Sequence, residues 1–276
     1  MVDLKDNVID KPWTSKNVKR FPVMCIDNFF SDPDAIRKWA LSLEYRPSPT
    51  GKWPGKRTIP LNDIHLPLQN EIIRKIFSLY FDGDVSKIAH DYQKSGMFFQ
   101  LIPPYDKNNP DAKVNKGWIH KDGLDRENML AGVIYLTPRI SLECGTSIYE
   151  LKEGQEYHDA ARTGMRTSKA NAYRELHNNE QIDKDVTIWN SKFDETVRVN
   201  NIYNRMISYD AHYYHAANSY YTPEGSDERL ILVYFIQNIK GVKLPATRMF
   251  KDNVTSIIED SKQTYGDAVQ GKDGYT

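Results

Sequence analysis

Cysteine is nearly absent: Cys25 and Cys144 are the two in 276 residues, far apart and in no Cys-x-x-Cys pair. That excludes a cysteine-framed zinc site and a disulfide scaffold, and free thiols in a reducing compartment are the expectation. Long apolar runs are lacking too. No stretch approaches the roughly 20 residues of a membrane span, and the charged segment Met1 to Asp10 has no apolar core of a signal peptide. A soluble protein of the cytoplasm, or of a host's cytoplasm if phage-encoded, is expected. Nor does one sign of charge dominate, since Lys plus Arg and Asp plus Glu both number 37. No global field draws the chain to nucleic acid or to an acidic surface. The nearest basic block, Lys52 to Arg57, is broken by Trp53, Pro54 and Gly55. A small molecule or a peptide is the expected partner; nothing in the sequence speaks to oligomeric state. There is no internal repeat, and no His-Glu-x-x-His helix to mark a zinc hydrolase.

What is present suits one large domain with a sizeable core. The expected organisation is a polar arm over 1–20, a single domain over 21–240 and a polar tail over 241–276. Within the domain, 21–95 reads as a helical flank. Phe21 to Ile26 is a short buried strand, and Ser31 or Asp32 caps a helix with Pro33 in its first turn. Ile36, Trp39, Ala40 and Leu43 give that helix one apolar stripe. Arg46 to Pro60, with four prolines and two glycines, reads as a loop. Pro67 to Tyr80 is a second amphipathic helix. From Met97 the pattern becomes strand-like: Met97–Ile102, Met129–Leu136, Glu143–Tyr149, Thr196–Val199, Arg205–Tyr209 and Arg229–Ile236 are rich in aromatic and β-branched residues and are bounded by turn residues. Charged residues are scattered over 151–195 with little apolar periodicity. A helix is expected around Ser168–Asn179, and the segment reads as an insertion that either forms a lid or is a solvated excursion. Helices ahead of many short strands give a mainly β, α+β class with a barrel or jelly-roll core.

The candidate chemistry begins at His120-Lys121-Asp122. On an extended segment residues two apart point the same way, so imidazole and carboxylate share a face. Two such ligands make two-thirds of a facial iron site, completed by one more histidine. The spacing alone is expected about once by chance from 7 His and 37 acidic residues, so its neighbours have to make the case. His215 and His212 compete for the third position. Arg229 opens the strongest strand and shares a face with Ile231, Val233 and Phe235. A charge so placed requires a partner, for which a bidentate carboxylate is the best fit; Asp227 or Glu228 could also pair with it.

His120-x-Asp122, then Gly145-Thr146, then His215 and then Arg229 on a terminal strand resembles the iron(II)/2-oxoglutarate-dependent dioxygenases. The likeness is closest to the prolyl-4-hydroxylase-like branch and its phage and bacterial relatives. It runs over roughly 21–238, and Ile26-Asp27-Asn28-Phe29-Phe30 resembles the way those domains begin. The resemblance implies a double-stranded β-helix (jelly-roll, cupin-like) with N-terminal flanking helices. It implies iron(II) held by His120, Asp122 and His215, the last favoured over His212 because it follows an aromatic residue and precedes small ones. It implies 2-oxoglutarate held through Arg229, with ascorbate a further candidate cofactor, and hydroxylation of a C–H bond with succinate and CO2 as co-products. Some relatives carry a hydroxyl residue two positions after the arginine, where Ile231 stands here. Tyr105 or Gln100 would then supply that hydrogen bond, and Thr146 completes the cofactor-binding set. Trp118, Tyr214 and Arg57 are weaker candidates for a substrate rim or lid. The competing reading is a metal-free jelly-roll binding or virion-associated module.

Overall fold

The computed structural model describes residues 23–81, 84–104, 109, 111–122, 129–156, 165–175, 180–221 and 228–242. The expected arm and nearly all of the expected tail lie outside these, as does Tyr105.

Among the described residues ten strands form two antiparallel sheets. They are β1 (Val23–Ile26), β2 (Arg46–Pro47), β3 (Lys56–Arg57), β4 (Gly96–Ile102), β5 (Leu130–Tyr135), β6 (Thr146–Leu151), β7 (Phe193–Val199), β8 (Met206–Asp210), β9 (Tyr214–Ala217) and β10 (Arg229–Ile236). The large sheet runs β1-β8-β5-β10-β4-β3-β2 and the small one β7-β6-β9. Segment 117–120 joins the small sheet beside β9 through the His120–His215 bridge. From β4 onward the chain therefore passes large, small (117–120), large (β5), small (β6, β7), large (β8), small (β9), large (β10). That alternation of antiparallel strands between two facing sheets is a double-stranded β-helix.

The alternation of side chains along each strand builds the interior. Ile231, Val233 and Phe235 of β10 turn inward beside Ala131, Val133 and Tyr135 of β5 and Ile207 and Tyr209 of β8. The opposite face of the large sheet is apolar as well, because helices cover it: β10 is buried at seven of its eight positions. Helix α1 (Pro33–Leu41) begins as its sequence dictates, with Asp32 Oδ1 accepting from Ala35 N at 2.9 Å and Pro33 in the first turn. Its Trp39 meets Phe99 of β4 edge to face at 5.7 Å. Helix α2 (Leu61–Tyr80) buries Ile72, Ile73, Ile76, Phe77 and Tyr80.

Several expectations change. Helix α2 starts at Leu61 rather than Pro67, but it kinks at His65, whose backbone is non-helical. The ring of Pro67 disfavours helical geometry in the residues before it. The second limb starts afresh there, with His65 Nδ1 accepting from Leu68 N at 3.1 Å in the manner of an N-cap. The proline-rich loop over 46–60 contains β2 and β3, which extend the large sheet past β4. The insertion holds two helices, α3 (Met165–Glu175) and α4 (Glu180–Asn190), where one over 168–179 was expected. Their apolar stripe is carried by Ala172, Tyr173, Ile182, Val186 and Trp189, all buried in the core between the sheets. Among the described residues no helix is long and apolar enough to cross a membrane.

Candidate metal centre

His120, Asp122 and His215 converge inside the barrel, each offering one ligand atom, with all three atoms within 4.8 Å of one another. Backbone pairing brings them together. His120 and His215 exchange both hydrogen bonds of an antiparallel bridge, at 3.0 and 2.9 Å, and Asp122 N donates to Ala211 O at 3.1 Å. Gly117 N donates to Ala217 O at 2.9 Å. A Cβ on Gly117 would stand 2.7 Å from that oxygen, so only glycine lets the ligand-bearing segment lie this close to β9.

The ring orientations are also fixed. His120 Nδ1 lies 2.8 Å from Trp118 O, and His215 Nδ1 lies 2.9 Å from Tyr213 O. A carbonyl can only accept, so both imidazoles carry their proton on Nδ1 and present a bare Nε2. These Nε2 atoms lie 3.5 Å (His120) and 3.0 Å (His215) from the two oxygens of Asp122. Cis ligands on a divalent cation with bonds of 2.0–2.2 Å stand about 3 Å apart, so the donor set fits such an ion. Burial works against the negative charge of Asp122, but His215 and His120 outweigh it and hold the carboxyl below its ordinary range. Burial, with the nearby Lys169 and His215, pushes His120 down to about 4 and keeps it a neutral ligand. His212 is not part of this group; it bonds to Asp210 at 2.8 Å. Lys121 turns its ammonium onto the ring of Tyr214, 4.2 Å away.

The centre opens onto a cavity of about 440 Å3. Arg229 lies at the start of β10 with 3% of its surface exposed. Its Nη1 donates to the carbonyls of Cys144 and Ser219, while its Nε is buried with no partner. No carboxylate pairs with it among the described residues; Glu228 reaches Lys56 instead, at 3.6 Å. Thr146 also faces the cavity, accepting from Tyr135 OH at 2.9 Å. Gln100 lines it too, with Oε1 accepting from Arg57 Nε at 2.9 Å and Nε2 donating to Pro54 O at 2.6 Å. Arg57 is a cavity residue as well. The other two rim candidates do not line this cavity: Trp118 is buried in the core, 2% exposed, and serves His120 through its carbonyl, while Tyr214 packs on Phe193.

Three further residues at the site escape a reading of the sequence. Tyr209 stacks 4.7 Å from the His215 ring. Burial, with the negative charge of Asp122, keeps its phenol protonated far above the ordinary range. Lys169 and Tyr173 come from α3 and put the insertion into the cavity wall. Their only signal is a Lys-x-x-x-Tyr spacing that places both on one helix face.

A family model described as a family of unknown function (DUF6445) matches residues 13–221. Among curated proteins none matches. The chain is similar to a prolyl-4-hydroxylase of Pseudomonas putida, at 12% identity and a TM-score of 0.39, covering 79% of this chain and 93% of that one. It is also similar to EvdO2 of Micromonospora carbonacea var. aurantiaca complexed with 2-oxoglutarate, at 14% identity and 0.45, covering 80% and 88%. A third is SnoK, a non-heme alpha ketoglutarate dependent carbocyclase of nogalamycin biosynthesis, at 14% and 0.46, covering 84% and 85%. The fold assignment stands on the strand order above, not on these likenesses.

Proposed function

The chain belongs to the DUF6445 family, whose function is not known, and from its site we propose an iron(II)/2-oxoglutarate-dependent oxygenase that hydroxylates a C–H bond of its substrate. The observation that carries this reading is the convergence of two Nε2 atoms and one carboxylate on a cavity also lined by a buried arginine that pairs with no carboxylate among the described residues. Two imidazoles and one carboxylate would hold iron(II) while leaving it able to take up cosubstrate and oxygen. When bound, iron(II) and 2-oxoglutarate supply oxygen activation, with succinate and CO2 as co-products.

Each residue has a task in this reading. Trp118 O and Tyr213 O hold the Nδ1 protons so that His120 and His215 enter as neutral ligands. Asp122 is ionised without assistance from pH over the physiological range. Arg229 would hold the distal carboxylate of 2-oxoglutarate, giving its orphaned Nε an acceptor. Thr146, held by Tyr135 OH, would complete the pocket for that carboxylate. The aromatic and aliphatic walls exclude water and strengthen each of these charges.

The test is anaerobic titration of the purified protein with iron(II) and 2-oxoglutarate, followed by succinate release on admission of air. The wild type should bind both and form succinate. His120→Ala and Asp122→Ala should lose iron binding, and Arg229→Gln should keep iron but weaken 2-oxoglutarate by roughly 10-fold or more. A wild type that binds no iron(II) ends the reading in favour of a metal-free jelly-roll module.

A further inference from the structure

The chain is electrically neutral, yet among the described residues its cavity is not: Lys52, Arg57, Lys94, Lys169 and Arg229 line it against one acid, Asp122. Three of the five are accounted for elsewhere. Lys52 is exposed, Lys94 reaches Asp91 at 3.5 Å, and Arg229 is assigned to the cosubstrate above. Arg57 and Lys169 remain, and neither forms an ion pair with any described residue.

Both are set up to be aimed rather than merely present. Gln100 is clamped from behind by its bond to Pro54 O, so its Oε1 faces Arg57 and takes Nε. That leaves the two Nη nitrogens without a hydrogen-bond partner in the described chain. The guanidinium lies between rings, 4.8 Å from the centre of Trp53, 5.5 Å from Phe98 and 5.7 Å from Phe235. Such stacking fixes a planar cation while keeping its forked edge open. Burial, offset in part by the charge of Asp122, lowers Arg57 to about 10, yet it stays charged at neutral pH. Lys169 comes from α3 of the insertion and borders the same space. Two cavity-lining cations with no ion-pair partner among the described residues carry a desolvation cost, only partly offset by Asp122, that an anionic ligand would relieve.

On the reading of the site as an oxygenase, we propose that the substrate carries an acid group, carboxylate or phosphate, on an apolar or aromatic body, held by Arg57 and Lys169. The acid group would meet the Arg57 fork, the body would lie along Trp53, Phe98 and Phe235, and Lys169 would close over it from the insertion.

The probes are benzoate, phenyl phosphate and benzamide, which share a ring and differ in charge. Each is titrated calorimetrically into the full chain loaded with manganese(II) and 2-oxoglutarate, so that the metal and Arg229 are already engaged. Benzoate or phenyl phosphate should bind at least about 10-fold tighter than benzamide, the scale of one charge-assisted contact. The tighter of the two anions tells carboxylate from phosphate. Arg57→Gln and Lys169→Gln should each erase the preference while leaving 2-oxoglutarate affinity unchanged. Equal binding of all three probes, or no binding of either anion, overturns the proposal. So does loss of 2-oxoglutarate affinity in Arg57→Gln, which would make Arg57 a cosubstrate residue. If the wild type takes up no 2-oxoglutarate, the oxygenase reading fails by itself, and the same titrations on the metal-free chain still decide whether Arg57 and Lys169 select an anion.

Discussion

In the large sheet the central strands β8, β5, β10 and β4 are each laddered on both sides by backbone, and helices α1 and α2 cover the outer face. The ligand-bearing segment of the small sheet is held otherwise. It meets β9 through the His120 bridge and Gly117, and on its other side it is held by side chains. Ile119 N donates to Asn190 Oδ1 at 3.2 Å, and Ile119 O accepts from Trp189 Nε1 at 2.7 Å. Gly117 O accepts from Asn190 Nδ2 at 3.0 Å. One wall of the barrel thus rests on apolar area and the other on a few directed polar contacts reaching in from α4. The difference teaches that overall stability and the geometry of the candidate site are supported by separate parts of the molecule, and that the insertion is a structural member of that site.

Three substitutions put that division under load. Leu232 in β10 is fully buried, and Leu232→Ala should cost about 2–5 kcal/mol of unfolding free energy in urea titration. Iron affinity of the folded fraction should not change; a matching loss of affinity would mean that the two walls are not separable. Trp189→Phe keeps an aromatic ring against Phe193 but removes the donor to Ile119 O. It should cost about 1 kcal/mol and weaken iron(II) by roughly 10-fold, the usual penalty for losing a group that orients a ligand. Stability loss with unchanged iron affinity would show that α4 only fills space.

The third substitution concerns pH. Burial, against the attraction of Asp122, lowers Lys169 to about 8 from its ordinary 10.5. Between those values the unfolded chain holds a proton that the folded chain has released, so stability rises with pH across this window. Denaturant titrations in EDTA should therefore give a wild-type minus Lys169→Met difference that grows from pH 8 to 10.5. A flat difference would put Lys169 in solvent.

Much of the large sheet is legible because its strands are covered on both faces. Met129–Leu136 and Arg229–Ile236 are continuous apolar runs with few competing readings, and the Asp32-Pro33 start of α1 is stated locally. The convergence of His120, Asp122 and His215 is legible for a related reason: they sit on extended chain, where spacing decides which way a side chain faces. What the sequence hides depends on other segments. β2 and β3 are two residues each, within proline-rich chain, and exist because β4 offers them an unpaired edge. Lys169 and Tyr173 look like any exposed pair until α3 is placed over the cavity. Tyr135 and Tyr209 read as core in strands of core residues. Their hydroxyls matter only once the barrel has an inside.

The side-chain clasp on Ile119 has a consequence for how the protein meets its neighbours. A strand ending a sheet ordinarily offers free N–H and C=O groups on which another chain can build. Here both groups that Ile119 turns away from β9 are already engaged by Trp189 and Asn190. The segment that carries His120 and Asp122 is, among the described residues, the margin of its sheet, and at Ile119 that margin is sealed against templating a further strand.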